Sequence, residues 1–164
     1  MDKLFLEIIN NMEEEKEIYN QLIQLSEKKT ELISNQRISD LDKLVGVEEE
    51  FIIRIGKLED DRHKLLDKLG QKRGQGSITL SNLIEWSQGK DRDNFIKLRD
   101  EFNEIIEKLN QLNQINAKLI RSNLDYVEFA IQFMTGENRS GQVYESKGET
   151  KKISQSRNLF DSKA

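Results

Sequence analysis

Few residues of this sequence combine a type and a spacing suited to catalysis. His63 is the only histidine, it lies between Arg62 and Lys64, and no Ser or Cys nucleophile stands in a recognisable arrangement with it. The chain also contains no cysteine, so neither a thiolate site nor a disulfide framework is available. We therefore interpret His63 as a surface helix residue, and we expect no enzymatic activity.

Two glutamate runs and one glycine-rich stretch are the remaining candidates for ion or phosphate binding. The runs at 13–15 and 48–50 lack the Glu-x-x-His spacing of di-metal helical bundles. The stretch from Gly70 to Gly76 contains Lys72 and Arg73, but it lacks the spacing of a phosphate-binding loop and follows a helical pattern, not a strand. We interpret the acidic runs as solvated helix faces and the glycine-rich stretch as a connector, and we expect no metal or cofactor.

Asn116 and Asn123 are more informative, because they lie one heptad apart within an apolar seam, with Asn113 beside them. A buried asparagine in such a seam favours the one pairing that satisfies its amide, at a cost in stability. The alternative is that this face receives a partner helix whose polar groups pair with the amides. We favour the first interpretation and keep the second as a binding hypothesis.

The seam belongs to the longest segment with one consistent period, from about Asp91 to Met134. Steps of three and four residues predict a single long helix with one apolar side, and such a helix needs partner helices in water. No Pro or Gly interrupts the segment between Gly89 and Gly136. The positions of the seam are Phe95, Leu98, Phe102, Ile105, Leu109, Leu112, Asn116, Leu119, Asn123, Tyr126, Ala130 and Phe133.

The first half of the chain predicts two further long helices. The first extends from about Asp2 to Ile33, and its seam is interrupted by Glu15, Ser26 and Lys29, while additional apolar residues widen its stripe as if it faced two neighbours. The segment 34–37 has weak helix preference and predicts a bend.

The second helix is predicted to begin with Ser39 as its N-cap and to end with Gly70 as its C-cap. A loop to Ser77, a two-turn helix over 79–87 and a break at Gly89 then lead into the long helix.

Composition supports long helices and narrows the class of partner. There is no proline, and 34% of the residues are charged. The N-terminus lacks the basic and apolar regions of a signal peptide, and no apolar stretch is long enough to cross a membrane, so we expect a soluble cytoplasmic protein without direct membrane insertion. A net charge of −4 gives nucleic acid no general attraction to the chain.

These patterns predict an all-α fold, an elongated antiparallel bundle of three main helices with one short helix, followed by a flexible C-terminal tail. The bundle is expected over 1–136. Residues 137–164 are rich in Ser, Gly and mixed charges, which is typical of a disordered segment. Scattered apolar residues in that tail are candidate contacts with a partner.

Several segments together resemble the FlgN-type flagellar export chaperones. The family's Leu-rich segment is similar to residues 22–45, and its glutamate-led run is similar to 48–62, which ends in Leu58, Glu59 and Arg62. The strongest similarity is the Leu-Asn-x-x-Asn-x-x-Leu pattern within 112–126. Tyr144-x-x-x-Gly148 and the final residues 159–164 resemble that family's tail, although Glu145 follows Tyr144 where a small or turn-forming residue is common.

The resemblance implies a cytoplasmic chaperone of flagellar type III export. Such a protein binds the C-terminal helical segments of hook–filament junction (hook-associated) proteins, prevents their premature self-association and delivers them to export gate and ATPase components. By similarity to the family's tail tyrosine, Tyr144 is also a candidate contact with the membrane export gate. The residues that we assign to client or export-apparatus binding are Asn116, Asn123, Tyr126, Phe133, Val143, Tyr144, Ile153, Leu159 and Phe160.

Two other interpretations remain open at the level of sequence. A structural or adaptor coiled-coil protein would act by homo-oligomerisation through the interrupted seams of the first two helices, whereas the chaperone hypothesis predicts a monomer or weak homodimer when free. A helical enzyme or metal protein would need a constellation of residues that we do not find.

Overall fold

The computed structural model describes residues 3–136, and every regular element in that range is an α-helix. The helices are α1 (Lys3–Ser34), α2 (Ile38–Arg73), α3 (Leu80–Trp86) and α4 (Gly89–Met134). The prediction of an all-α fold with three main helices and one short helix is confirmed. The predicted tail, 137–164, lies outside the described residues, so its boundary at 136 stays a prediction.

The chain divides into two compact units, and the division lies between Asn123 and Leu124, within α4. The first unit contains α1, α2, α3 and most of α4. The described part of the second unit is the final part of α4 and the two residues after it.

In the first unit, α1 and α2 form an antiparallel pair, and α4 runs parallel to α1. Later residues of α1 contact earlier residues of α2, as in Glu15 with Arg62 and Lys29 with Glu48, so these two helices are antiparallel. The contacts between α1 and α4 increase together along both helices, as in Phe5 with Phe95, Tyr19 with Phe102, and Thr30 with Asn116.

The core of the first unit consists of two apolar clusters along the bundle. One gathers the start of α1, the end of α2, the short helix α3 and the start of α4, with Phe5, Leu69, Leu83 and Phe95 among its buried members. The rings of Phe5 and Phe95 meet edge to face with centroids 5.7 Å apart. The other cluster joins the middle parts of α1, α2 and α4. Burial of these stripes provides the main stabilisation of the helices.

The polar residues that interrupt the α1 seam are each paired across the bundle. The Lys29 ammonium lies 2.5 Å from a carboxylate oxygen of Glu48 in α2, and the buried Glu15 carboxylate accepts a hydrogen bond from Arg62. Ser26 is buried, and its carbonyl oxygen accepts from α4. The prediction that α1 faces two neighbours is therefore confirmed, and these residues are part of the interior.

The predicted start of α2 was wrong, because the turn from α1 is tighter than the capping pattern suggested. Gln36 adopts a left-handed conformation with φ of 54°, and the Arg37 backbone N–H donates to the Leu32 carbonyl oxygen. The helix then begins at Ile38, so Ser39 lies inside the first turn and Arg37 takes the cap position without a side-chain cap hydrogen bond.

The predicted end of α2 was also wrong: Gly74, not Gly70, takes the left-handed C-cap position, with φ of 66°. The extra turn is stabilised by Arg73, whose guanidinium lies 4.8 Å from the ring centroid of Trp86. Gly70 is buried within the helix, because the chain folds back over it after the cap. A β-carbon at this position would lie 2.8 Å from the carbonyl oxygen of Gln75.

Candidate functional site

The final part of α4, residues 124–134, exposes almost all of its apolar side chains. Exposure ranges from 52% for Val127 to 83% for Met134. A contiguous exposed apolar surface of this kind is typical of a site of interaction. The large apolar side chains in this segment are Leu124, Tyr126, Val127, Phe129, Ile131, Phe133 and Met134.

These side chains form two neighbouring stripes along the helix. At ~100° per residue, Tyr126, Phe129 and Phe133 share one side, which we call the aromatic stripe. The second side, which we call the aliphatic stripe, adjoins it. The polar residues Asp125, Glu128 and Gln132 are confined to the remaining part of the circumference. The aliphatic stripe consists of Leu124, Val127, Ile131 and Met134.

Asn116 and Asn123 lie before this segment, and both bind α1. The Asn116 side-chain amide donates to the Ser26 carbonyl oxygen at 3.1 Å, and its Oδ1 accepts from the Thr30 hydroxyl at 2.6 Å. Asn123 donates to the Ile33 carbonyl oxygen at 3.2 Å. These hydrogen bonds fix the position of α4 along α1, as expected of asparagines that specify register. Their role as client contacts stays a prediction.

The structure brings together only two of the nine site residues that we selected from the sequence, Tyr126 and Phe133, on the aromatic stripe. Five others lie outside the described residues: Val143, Tyr144, Ile153, Leu159 and Phe160. The selection missed Phe129 and the whole aliphatic stripe. The available signal was that apolar residues after Asn123 also occupy the positions beside the seam.

One charged group inside the first unit has a strongly altered pKa. Burial raises the pKa of Glu15 to about 7; the positive charge and hydrogen bond of Arg62 oppose the increase, and the neighbouring Glu59 adds to it. Burial also raises the pKa of Tyr19 well above its usual range. These groups lie in the packed interior of the first unit, Glu15 against Arg62 of α2 and Tyr19 against Phe102 of α4, which indicates a structural role.

The structure also gives the positions of the other residues that the sequence suggested for catalysis or metal binding. His63 is exposed on α2, as predicted, whereas the interpretation of the acidic runs as solvated faces was wrong for Glu15, which is buried, and for Glu48, which pairs with Lys29. Among residues 3–136, no three His, Cys, Asp or Glu side chains are arranged to hold a metal ion. None of the helices in this range has the length and apolar character needed to cross a membrane.

The fold and the exposed surface are those of a helical module suited to binding other proteins, and comparison with known proteins gives its family. The family model described as FlgN protein matches residues 1–152. This chain belongs to the FlgN family, which is a family of flagellar export chaperones. The resemblance found in the sequence is thereby confirmed.

One relative shares most of its length with this chain. The uncharacterized protein YvyG of Bacillus subtilis (strain 168) is 28% identical over 149 residues, which cover 90% of this chain and 91% of the relative. No solved structure matches the sequence.

Proposed function

We propose that this protein binds hook–filament junction proteins in the cytoplasm before their export. It covers their C-terminal helical segments, prevents premature self-association and delivers them to the export apparatus. The observation that carries the proposal is the exposed apolar end of α4, where Tyr126 and Phe133 are 66% and 71% exposed. An export chaperone needs such a surface when it is free, because its client covers that surface in the complex.

The chemistry of this surface suits a helical client. An amphipathic helix binds a groove or another helix through side chains spaced three and four residues apart. Tyr126, Phe129 and Phe133 have this spacing, and aromatic side chains bury a large area with few rotatable bonds. The tail residues Val143, Tyr144, Ile153, Leu159 and Phe160 extend the proposed contact, as the family resemblance implies.

Client capture tests this proposal directly. The full chain is co-expressed with each full-length junction protein of the same genome, and the complex is purified and sized. We expect a 1:1 complex, and we expect Phe133→Ser to weaken it by about tenfold or more, as for a central contact in an interface. The matched control is Ile53→Ser, which removes an equally exposed apolar side chain, 72% exposed, from α2. Equal capture by both variants would place the client elsewhere.

Two further variants separate the roles of the tail. A chain ending at Gly136 that loses the client assigns the essential contacts to the tail, whereas retained capture assigns them to α4. Binding of the Tyr144→Ala variant to the client and to the export gate is then measured separately. If this variant bound both as tightly as the parent, neither role of Tyr144 would stand.

The exposed end of α4 also favours a second function, a coiled-coil adaptor that self-associates through this surface and not through the seams of the first two helices, which are packed within the first unit. This function predicts a stable homo-oligomer whose mass rises with concentration and no complex with junction proteins. Sedimentation over a wide concentration range, with and without a client, distinguishes the two functions.

A further inference from the structure

We propose that the end of α4 binds two client helices at once, one on the aromatic stripe and one on the aliphatic stripe. This inference rests on the proposed function and specifies the form of its client. The partner is one junction protein that contributes two helical segments, side by side, to residues 124–134.

The width of the exposed surface is the first reason. At ~100° per residue, the five buried residues of α4 in the first unit, from Phe95 to Asn116, fall within roughly 80° of the circumference. The apolar side chains between 124 and 134 cover roughly 220° by the same measure. The stripe that a helix buries in its core is only a little over ~100° wide. The end of α4 therefore offers more than twice the apolar width that the same helix buries against α1 and α2 in the first unit.

The positions of Phe129 and Leu124 show why one helix is insufficient. At ~100° per residue these side chains project roughly 140° apart on the helix. They are 66% and 64% exposed. A helix is about 10 Å in diameter, so a single partner helix that covers Phe129 leaves Leu124 in water. Two partner helices cover both.

The residue types on the aliphatic stripe give a second, independent reason. The spacing of Leu124, Val127, Ile131 and Met134 is that of alternating a and d positions in a heptad. Leu124 takes an a position, and the β-branched Val127 takes d. A β-branched residue at a with leucine at d favours two-stranded coiled coils, whereas leucine at a with a β-branched residue at d favours assemblies of more than two helices. Leu124 and Val127 have the second arrangement, and Ile131 at a is followed by Met134 at d and not by leucine. The stripe is thus suited to a helix bundle.

Charge favours a client over a second copy of this chain. Residues 124–134 contain Asp125 and Glu128 and no Lys or Arg. At ~100° per residue each of these acidic residues lies roughly 40° from the edge of a stripe, so a second copy would bring the same negative charges to the rim of the interface, where like charges oppose association. The fitting partner is a pair of amphipathic helices with Lys or Arg beside their apolar faces.

The two stripes also differ in the side chains they accept. Branched aliphatic residues interdigitate with similar residues of a facing helix, whereas the aromatic rings prefer offset or edge-to-face contacts. A symmetric dimer pairs one patch with an identical patch. Two chemically different stripes on one helix instead suit two different helices of one client.

Site-specific photo-crosslinking tests this inference in the intact complex. p-Benzoylphenylalanine replaces Phe129 in one full-length variant and Ile131 in another, each co-expressed with a full-length junction protein. After irradiation, mass spectrometry identifies the crosslinked peptides. We expect two non-overlapping client segments, one from each position, and loss of crosslinking when the photoreactive residue replaces Gln132 on the polar side.

The outcomes separate this inference from the proposed function. Crosslinks from both positions to the same client segment, or to another copy of this chain, would overturn the two-helix arrangement while leaving client binding in place. Absence of a complex with the unsubstituted chain would overturn the proposed function itself. If a substituted chain failed to capture a client that the parent captures, Phe133 and Met134 provide a second pair of positions on the same two stripes.

Discussion

Asn116 of α4 donates its side-chain amide to the backbone carbonyl oxygen of Ser26 in α1, 90 residues away in sequence and 3.1 Å away in space. Both residues are buried, and the Thr30 hydroxyl donates to the other end of the same amide. A shift of α4 along α1 by a single turn would break both hydrogen bonds inside the core. This amide therefore selects one alignment of the two helices.

Asn116→Ala is expected to lower the free energy of unfolding by about 1–3 kcal/mol, because it leaves the Ser26 carbonyl oxygen without that partner in a buried site. Chemical denaturation followed by circular dichroism measures the change. The control is Asn113→Ala, which alters an exposed asparagine on the same helix and should change stability by less than ~0.5 kcal/mol. Equal effects of the two substitutions would argue against a register role for Asn116.

Much of the fold was predictable because helix periodicity is a local property. The extents of α1, α3 and α4 agree with the prediction within two residues. The ends of α2 were not predictable, because Ser39 and Gly70 have the residue types of caps, while the actual boundaries depend on the tight turn at Gln36 and on Arg73 against Trp86. Contacts between distant segments determine these boundaries.

The exposed apolar end of α4 was predictable only in part, and its role in binding stays a prediction. A heptad search identifies one seam, so it found Tyr126 and Phe133 and passed over Leu124 and Ile131 beside them. The exposure of those side chains depends on where packing in the bundle ends, which sequence spacing alone does not give. The ion pair of Glu15 with Arg62 was likewise not predictable from sequence spacing, because it joins two different helices.

Stability should fall as pH rises from about 4.5 to about 7, through Glu15. Its pKa is about 7 in the folded chain, above the ordinary value of 4.5, so the folded state holds a proton that the unfolded state has lost. This contribution is complete below pH 4.5 and is lost as pH rises through 7, and it amounts to at most about 3 kcal/mol.

Thermal or urea unfolding at several pH values measures this dependence. Glu15→Gln should flatten the curve between those limits, because the amide does not titrate. Glu14→Gln, which changes the exposed neighbour, should leave the slope unchanged. A parent protein whose stability rises with pH over this interval would contradict the role of Glu15.

Two glycines inside α2 should respond to alanine in opposite directions. At Gly70 the added β-carbon would meet the carbonyl oxygens of Gln75 and Gly76 at 2.8 and 2.9 Å, so we expect a loss of about 1–3 kcal/mol in the free energy of unfolding. At Gly56 nothing lies within 4 Å, so alanine should add about 0.5–1 kcal/mol through its better helix propensity. Denaturant titration measures the free energy of unfolding of both variants. An increase for Gly70→Ala would show that the chain after α2 does not lie against Gly70.

Substitutions on the aliphatic stripe should separate binding from stability. Val127→Ser with Ile131→Ser is expected to change the free energy of unfolding by less than ~0.5 kcal/mol per residue, because both side chains are more than half exposed. The same pair should weaken client capture. Ile105→Ser, in the core of the bundle, should instead cost about 3 kcal/mol or more. A large loss of stability from the exposed pair would mean that the stripe is covered within the free protein.

The exposed end of α4 also has a kinetic consequence. A helical segment with few tertiary contacts opens through local helix–coil fluctuations, whereas the buried parts of a bundle open only with larger unfolding events. Backbone amides between Leu124 and Met134 should therefore exchange with deuterated water long before those around Leu98 and Ile105. If a client covers this segment as we propose, the same amides should become slow, and their exchange rate would report occupancy residue by residue. Amide exchange at the end of α4 would thus measure directly whether the proposed binding surface is occupied.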